Sequence, residues 1–351
     1  MSGLLLLSAC ESILFDRDLL KADLPPLIGP DPLGREWRVF APGDADGFAY
    51  GNEVFKSILS GDSREDGLPL LATLFREGRL KKTLFVTANE KRIRLARQLG
   101  LAVLEASGAD LLEQISPRAL VLRDTASLIL RVRRERKDRY LLAGINGIDN
   151  SGKSGFSMQL AAVLASLGLE PTLLSMESFT ASKKARRARD YPEAERYYHK
   201  HYAMDRLREQ LLLPLQGGLA SSVSYDHYET DRERVIEKKS ISLNTRSALL
   251  LEGPFLFQED LSAYFDFRIY LVTDFERAID IELKDVPEKK RKKHEVRFVK
   301  SRLGAQSLYL RKEAPWKRAH VVIRGVNTER PVIENIADEL LIDSEKAMSA
   351  E

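Results

Sequence analysis

The sequence has only one cysteine, Cys10, so no disulfide bond can form within the chain. It also lacks any apolar run of the roughly 18–20 residues that a membrane-spanning helix needs. Basic and acidic residues nearly balance, and a net charge of +3 is too small to predict a nucleic-acid partner by itself. The composition therefore excludes a disulfide-stapled scaffold and a membrane-spanning protein, and the scarcity of cysteine is typical of a reducing cytoplasm.

The N-terminal stretch "LLLLSAC" reads like a lipoprotein cleavage site, but it lacks the other parts of a secretory signal. Such a signal needs a basic start and about 7–15 apolar residues. The start "MSG" carries no Lys or Arg, and the apolar core consists of four leucines. We therefore expect a cytoplasmic protein.

A chain of 351 residues is long for one hydrophobic core, so two domains are expected. Early on, the strand patterns "GLLLLSA" and "TLFVTA" alternate with the helical patterns "GLPLLATLFREG" and "EKRIRLARQLG". Farther along, the pattern restarts with a helix, "TASLILRVRRERKDR", and a strand, "YLLAGI". We predict a smaller α/β domain over residues 1–118 and a second domain over residues 119–351.

The second domain contains apolar strands that show no polar alternation, namely "YLLAGI", "EPTLLSM", "SALLLEG" and "DFRIYLVT". Helical patterns separate them: "FSMQLAAVLASLG", capped by Gly168, and "LREQLLLPLQGG", expected to stop at Pro214. A closing helix is predicted in "NIADELLIDSEKAMSA". Unalternated strands separated by helices indicate a parallel sheet with helices on both faces, as in P-loop NTPases.

The strongest motif is "GIDNSGKS", which has the form G-x-x-x-x-G-K-S and lies between a strand and a helix. Its glycines let the backbone N–H groups point inward at the positive end of a helix, which suits a polyphosphate. We predict that Lys153 reaches the β- and γ-phosphates of ATP and that Ser154 supplies a hydroxyl to Mg²⁺. The predicted nucleotide-binding residues are Gly147, Asn150, Ser151, Gly152, Lys153, Ser154 and Gly155.

Two acidic residues stand at strand ends, where a doubly wound sheet places its functional groups. Glu177 follows the strand after the P-loop helix and could accept the proton of a substrate hydroxyl that attacks the γ-phosphate. Glu252 ends a third strand and could hold Mg²⁺ through water. Either acid could instead be an ordinary polar strand end.

Residues 124–325 resemble the uridine kinase and phosphoribulokinase family of P-loop kinases. The family order of motifs is matched by "GIDNSGKS", "MESF", "YDHYETDR", "LLLEG" and the basic segment "DVPEKKRKKHEVR". Two looser stretches, "YYHKHYAMDRLREQLLLPLQGG" and "SLYLRKEAPWKRAHVVI", are also similar to family segments. The resemblance implies ATP-dependent phosphorylation of a small-molecule hydroxyl, most like that of a uridine or nucleoside kinase.

The resemblance also implies roles for single residues. Glu177 matches the catalytic aspartate of the family, while Tyr225, Asp226 and Arg232 match its substrate-binding residues. The sequence departs from the pattern in having Glu at 177, Thr180 where a tyrosine is usual and Thr230 where a histidine is usual. These departures open an alternative, a catalytically impaired nucleotide-binding regulatory protein of the same fold.

The densest basic run of the chain, from Lys284 to Arg302, falls where the family has its lid. The resemblance implies lid positions at Lys284, Arg291 and Arg297, which would close over ATP and neutralise charge in the transition state. A solvated helix face explains most of the other basic residues in this run. A nucleic-acid patch is a third reading, but no aromatic residues or recognition motif accompany it.

Three further expectations concern other parts of the chain. The histidines of "HKH" are two residues apart, so on a helix they point to different sides, and we read them as substrate-side or surface residues rather than metal ligands. Residues 1–118 faintly resemble a haloacid dehalogenase-type phosphatase whose two aspartates are replaced by Ser8 and Cys10, which implies a catalytically inactive module. An unrelated α/β domain fits this part equally well, and homo-oligomerisation is an open expectation.

Overall fold

The computed structural model describes most of the chain from residue 116 onward and shorter parts before it. The described ranges are 6–7, 12–16, 36–40, 83–88, 90–98, 101–105, 116–136, 138–218, 221–229, 234–328 and 330–342. The chain divides into two compact units, the first comprising residues 1–124 and 341–351 and the second residues 125–340. The domain limits that we expect from the sequence, 1–118 and 119–351, stay a prediction.

The first unit contains a parallel four-stranded sheet with the strand order β2-β1-β3-β4. Its elements are β1 (Ser12–Asp16), β2 (Glu36–Phe40), β3 (Thr83–Thr87), α1 (Glu90–Gln98) and β4 (Ala102–Glu105). The strand and helix predicted in "TLFVTA" and "EKRIRLARQLG" are confirmed as β3 and α1. The helix predicted in "GLPLLATLFREG" lies outside the described residues.

Of the strand predicted in "GLLLLSA", only Leu6 and Leu7 are described, and neither belongs to a strand. The backbone N–H of Leu7 donates to Asp124 Oδ1 at 2.8 Å. Ser8 and Cys10, at which we expected the replaced aspartates of the phosphatase pattern, lie outside the described residues.

The second unit is built on a six-stranded sheet with the order β12-β11-β10-β5-β9-β6. All neighbouring strands are parallel except for the antiparallel pair β11–β12. Its strands are β5 (Leu141–Gly147), β6 (Glu170–Ser175), β9 (Ser247–Gly253), β10 (Phe267–Val272), β11 (Val321–Arg324) and β12 (Val332–Ile336). The predicted P-loop-type parallel sheet flanked by helices is thus confirmed.

Helices connect these strands and cover the sheet. They are α2 (Pro117–Glu135), α3 (Lys153–Ser166), α4 (Lys183–Arg186), α5 (Glu193–Lys200), α6 (Met204–Leu207), α7 (Leu213–Leu215), α8 (Glu259–Ser262), α9 (Phe275–Leu283), α10 (Glu288–Phe298), α11 (Gly304–Glu313) and α12 (Asp338–Ile342). Within the part of the chain that the structure describes, no helix is both long and apolar enough to cross a membrane.

Three parts of this unit differ from the sequence prediction. The helix predicted to stop at Pro214 continues to Leu215, because a widened π-helical turn (Arg208–Leu212) precedes the proline and accommodates its missing N–H. An antiparallel hairpin of β7 (Ser222–Glu229) and β8 (Arg234–Ser242) was not predicted. The closing helix begins only at Asp338, since the preceding residues form β12.

Candidate active site

The phosphate-loop motif lies at the carboxyl end of β5, which runs between β10 and β9 in the interior of the sheet. Gly152 has φ +83°, a left-handed conformation that favours glycine, and an added Cβ would collide with Asn327 Oδ1. Gly147 has no room for a side chain either, since a Cβ there would lie 2.8 Å from the carbonyl oxygen of Leu271. The two glycines of the motif are therefore required by the backbone path of this loop.

Neighbouring elements hold the loop in place. Asn150, with φ +61°, donates through Nδ2 to Ala278 O and to Glu282 Oε2, each at 3.0 Å. Asn327 in turn donates through Nδ2 to the carbonyl of Asn150 at 2.6 Å. The loop is thus anchored from two sides before any ligand binds.

Lys153 is the buried cation of this loop. Its Nζ donates to the carbonyl of Ile148 at 2.6 Å. Burial lowers the pKa of Lys153, and the carboxylates of Asp149, Glu252 and Glu177 oppose that shift. The ammonium group therefore lies in the curve of the loop, close to all three acids, where a polyphosphate would be bound.

The side chains of Ser154 and Glu252 are in contact at the carboxyl edge of the sheet. The hydroxyl of Ser154 donates to Glu252 Oε1 at 3.2 Å, and Glu252 is only 8% exposed. A hydroxyl and a carboxylate are oxygen donors of the kind that Mg²⁺ prefers. Among the described residues, no group of three or more His, Cys, Asp or Glu side chains could hold a metal ion.

Glu177 lies in a 3-10 turn (Met176–Phe179) directly after β6, and its side chain is exposed. Its carboxylate accepts hydrogen bonds from Tyr202 Oη at 2.9 Å and Thr180 Oγ1 at 3.2 Å. Because β6 pairs with β9, the turn after β6 lies beside Glu252. Glu177 and Glu252 line one cavity of about 340 Å³ together with Lys153 and Ser154.

The same cavity includes residues that sequence reasoning did not assign to the site. Tyr197 Oη donates to Asp149 Oδ2 at 3.2 Å, and Arg302 Nε lies 4.0 Å from the same oxygen. Burial raises the pKa of Tyr197 well above its usual range, and the charge of Asp149 adds to the shift. Burial alone would lower the pKa of Arg302, but Tyr197, Asp149 and Glu282 raise it above the ordinary value.

Two signals in the sequence could have found these residues. Tyr197 and His201 are four residues apart, so they share one side of a helix, and their rings stack with centroids 4.1 Å apart. Of the two histidines of "HKH", His201 lines the cavity and His199 does not. Arg302 belongs to the basic run that we predicted as a lid.

Two of the predicted acceptor-binding residues, Tyr225 and Asp226, have contacts outside the cavity that contains Glu177. Tyr225 is buried in β7, where its ring stacks on Phe179 with centroids 5.3 Å apart. Asp226 is engaged by Gln210, whose Nε2 donates to Oδ2 at 2.9 Å. Neither residue lines the cavity beside Glu177, and their role in binding an acceptor stays a prediction. Arg232 and Thr230 lie outside the described residues.

The three predicted lid residues have different surroundings. Lys284 follows the last residue of α9 and is exposed. Arg291 pairs with Glu288 at 3.0 Å and donates to the carbonyl of Val286, so both contacts lie at the start of α10. Arg297 lines a second cavity, next to Arg302. Of the three, only Arg297 reaches the surroundings of the candidate site, and the lid role itself stays a prediction.

Comparison with known proteins gives matches among solved structures only. No family profile and no curated protein matches the chain. A possible uridine kinase from Bacillus stearothermophilus is 23% identical, with a TM-score of 0.43, and the match covers 56% of this chain and 97% of that one. A D-glycerate 3-kinase from Cryptococcus neoformans is 12% identical, with a TM-score of 0.40, over 62% of this chain and 98% of that one.

The strand order and the phosphate loop of the second unit agree with the predicted P-loop fold. The similarity to these solved structures does not identify a family, an activity or an acceptor. The faint resemblance of residues 1–118 to haloacid dehalogenase-type phosphatases finds no support in these comparisons.

Proposed function

We propose that the chain transfers the γ-phosphoryl group of MgATP to a hydroxyl group of a small molecule. One observation carries the proposal: the phosphate loop, the Ser154–Glu252 pair and the Glu177 carboxylate meet around a single cavity of about 340 Å³. Phosphoryl transfer depends mainly on positioning and on stabilising charge, and these groups supply both. By resemblance, a nucleoside such as uridine is the first acceptor to test.

The residues of the chain have separate tasks in this reaction. The loop N–H groups and Lys153 would hold the phosphates, while Ser154 and Glu252 would position the Mg²⁺, which neutralises phosphate charge when bound. Glu177 would accept the proton of the attacking hydroxyl. Tyr202 and Thr180 orient the Glu177 carboxylate through their hydrogen bonds to its two oxygens.

The decisive test measures ADP release by the full chain with MgATP and a panel of nucleosides and small alcohols. We expect Lys153→Ala to lower turnover by about 10²-fold or more, because it removes the buried cation that faces the phosphates. Lys317→Ala, at an exposed position outside this cavity, is the matched control and should keep wild-type turnover. Unchanged turnover in Lys153→Ala would contradict the proposal.

A second candidate function is that of an ATP-binding regulator with impaired transfer. It is favoured by the placement of Tyr225 and Asp226, which bind other parts of the protein rather than the cavity. This candidate predicts calorimetric binding of ATP without ADP release for every acceptor in the panel. One efficiently phosphorylated acceptor would eliminate it.

A further inference from the structure

A second cavity of about 640 Å³ opens beside the one that contains Glu177. Its walls come from the segment of α4 and α5 on one side and from α10 and the π-helical turn after it (Val299–Leu303) on the other. The cavity is lined by six arginines, namely Arg186, Arg187, Arg189, Arg196, Arg297 and Arg302. We call it the arginine cavity.

The described residues that line the arginine cavity carry more positive than negative charge. Against the six arginines, this lining includes two carboxylates, Glu193 and Glu282. Glu282 already accepts hydrogen bonds from Asn150 Nδ2 at 3.0 Å and His294 Nε2 at 2.8 Å, and Arg302 lies 3.9 Å from it.

Among the residues that the structure describes, no carboxylate pairs with four of the arginines, namely Arg187, Arg189, Arg196 and Arg297. Guanidinium groups gathered around one space repel one another unless an anion occupies it. The planar forks of arginine match the oxygens of a phosphate or a carboxylate and bind them with two parallel hydrogen bonds.

The arginine cavity is continuous with the catalytic one. Arg186, Tyr197, His201 and Arg302 line both cavities. A molecule whose anionic end lies among the arginines would therefore extend past Tyr197 toward Glu177.

His201 at this junction adds no positive charge. Burial, together with the charges of Arg302 and Arg186, lowers the pKa of His201 to about 3. The ring is therefore neutral near pH 7 and is available to a ligand as an uncharged hydrogen-bonding group.

We propose that the arginine cavity binds an anionic group, a phosphate or a carboxylate, that the acceptor alcohol carries. The acceptor is then a phosphorylated or carboxylated alcohol rather than a neutral nucleoside. This inference rests on the proposed kinase function and specifies its substrate class.

Matched acceptor pairs test the substrate class directly. With MgATP and the full chain, turnover is compared for ribose 5-phosphate against ribose, for glycerate against glycerol and for uridine 5′-monophosphate against uridine. We expect the anionic member of at least one pair to be phosphorylated with a kcat/KM at least about 100-fold above its neutral partner, as two lost charge-assisted contacts would give. Preference for the neutral member in every pair would overturn the inference. The phosphate and carboxylate arms identify which anion the cavity prefers.

Variants of two arginines with no other assigned role test whether the cavity is responsible. Arg189→Gln and Arg196→Gln should each raise the KM of the anionic acceptor about tenfold, while kcat and the Kd of a non-hydrolysable ATP analogue stay unchanged. Arg311→Gln, on α11 and outside both cavities, is the matched control and should change neither. If the two variants weaken binding of the ATP analogue instead, the cavity serves the nucleotide and the inference is overturned.

A binding measurement separates this inference from the kinase function. Sodium phosphate and glycerate are titrated by calorimetry into the full chain whose phosphate loop is filled by the ATP analogue. Binding that is lost in the Arg189→Gln/Arg196→Gln double variant, without turnover of any acceptor, would keep the anion site and overturn the kinase function. Turnover of neutral acceptors without anion binding would keep the kinase function and overturn the anion site.

Discussion

The proposed nucleotide side of the candidate site is made largely of backbone and buried groups, whereas the proposed acceptor side is made of long side chains from separate segments. On the nucleotide side, Gly147 and Gly152 have no room for a Cβ, and Lys153 is buried. On the acceptor side, Arg187 and Arg189 lie in the segment after α4, Arg297 lies in α10, and all three side chains are exposed. The first side depends on the geometry of one loop, and the second depends on charged side chains from more than one segment.

The largest effect is expected where the two sides meet, at Glu177. Glu177→Gln keeps the size of the side chain but removes the base, so we expect kcat to fall by about 10²–10⁴-fold. Binding of a non-hydrolysable ATP analogue, measured by calorimetry, should not weaken. A parallel loss of ATP affinity would show that Glu177 belongs to the nucleotide side instead. Glu276→Gln, on the exposed start of α9, is a matched control.

A smaller effect is expected from Gly152→Ala, which tests the geometry of the loop. The left-handed backbone and the contact with Asn327 both oppose the new Cβ. We expect about 1–3 kcal/mol of lost stability by thermal unfolding and weaker binding of ATP. The double variant Gly152→Ala/Asn327→Ala should recover at most part of the loss, since it removes the collision but keeps the strained φ and loses the hydrogen bond from Asn327 to Asn150. Complete recovery would contradict a backbone requirement at this position.

The smallest effect is expected from His201→Gln and concerns pH rather than activity. His201 has a pKa of about 3 in the folded chain, below its ordinary value near 6.5, so the unfolded chain binds the proton first as pH falls. The folded state therefore loses stability between about pH 6.5 and 3, by at most about 1.4 kcal/mol per pH unit. Denaturant unfolding between pH 7 and 5 should show a flatter decline in His201→Gln. An identical pH slope would exclude burial of a neutral His201.

The same contrast explains how much of the molecule could be predicted from the sequence. The strands "YLLAGI", "SALLLEG" and "DFRIYLVT" were found because fully buried strands are continuous apolar runs. The phosphate loop was found because its requirements lie in eight consecutive residues. The sequence placed Glu177 and Glu252 at strand ends, but their adjacency follows from the strand order β9-β6, which was not predicted.

The features that could not be predicted depend on contacts between segments that are far apart in the sequence. Arg302 meets Asp149 only because the turn after α10 packs near the phosphate loop, which no local pattern reveals. The apolar run "GLLLLSA" was taken as a strand, yet the N–H of Leu7 bonds to Asp124, 117 residues away. Long side chains that converge from separate helices have no spacing rule, so the arginine cavity could not be predicted.

The hydrogen bond from Asn327 to Asn150 has a consequence for the order in which the chain is made. The two residues are 177 positions apart, and Asn150 is synthesised first. During translation the phosphate loop therefore leaves the ribosome long before the residue that braces it. A nascent chain can acquire a fully braced nucleotide site only when nearly all of the second unit has been synthesised.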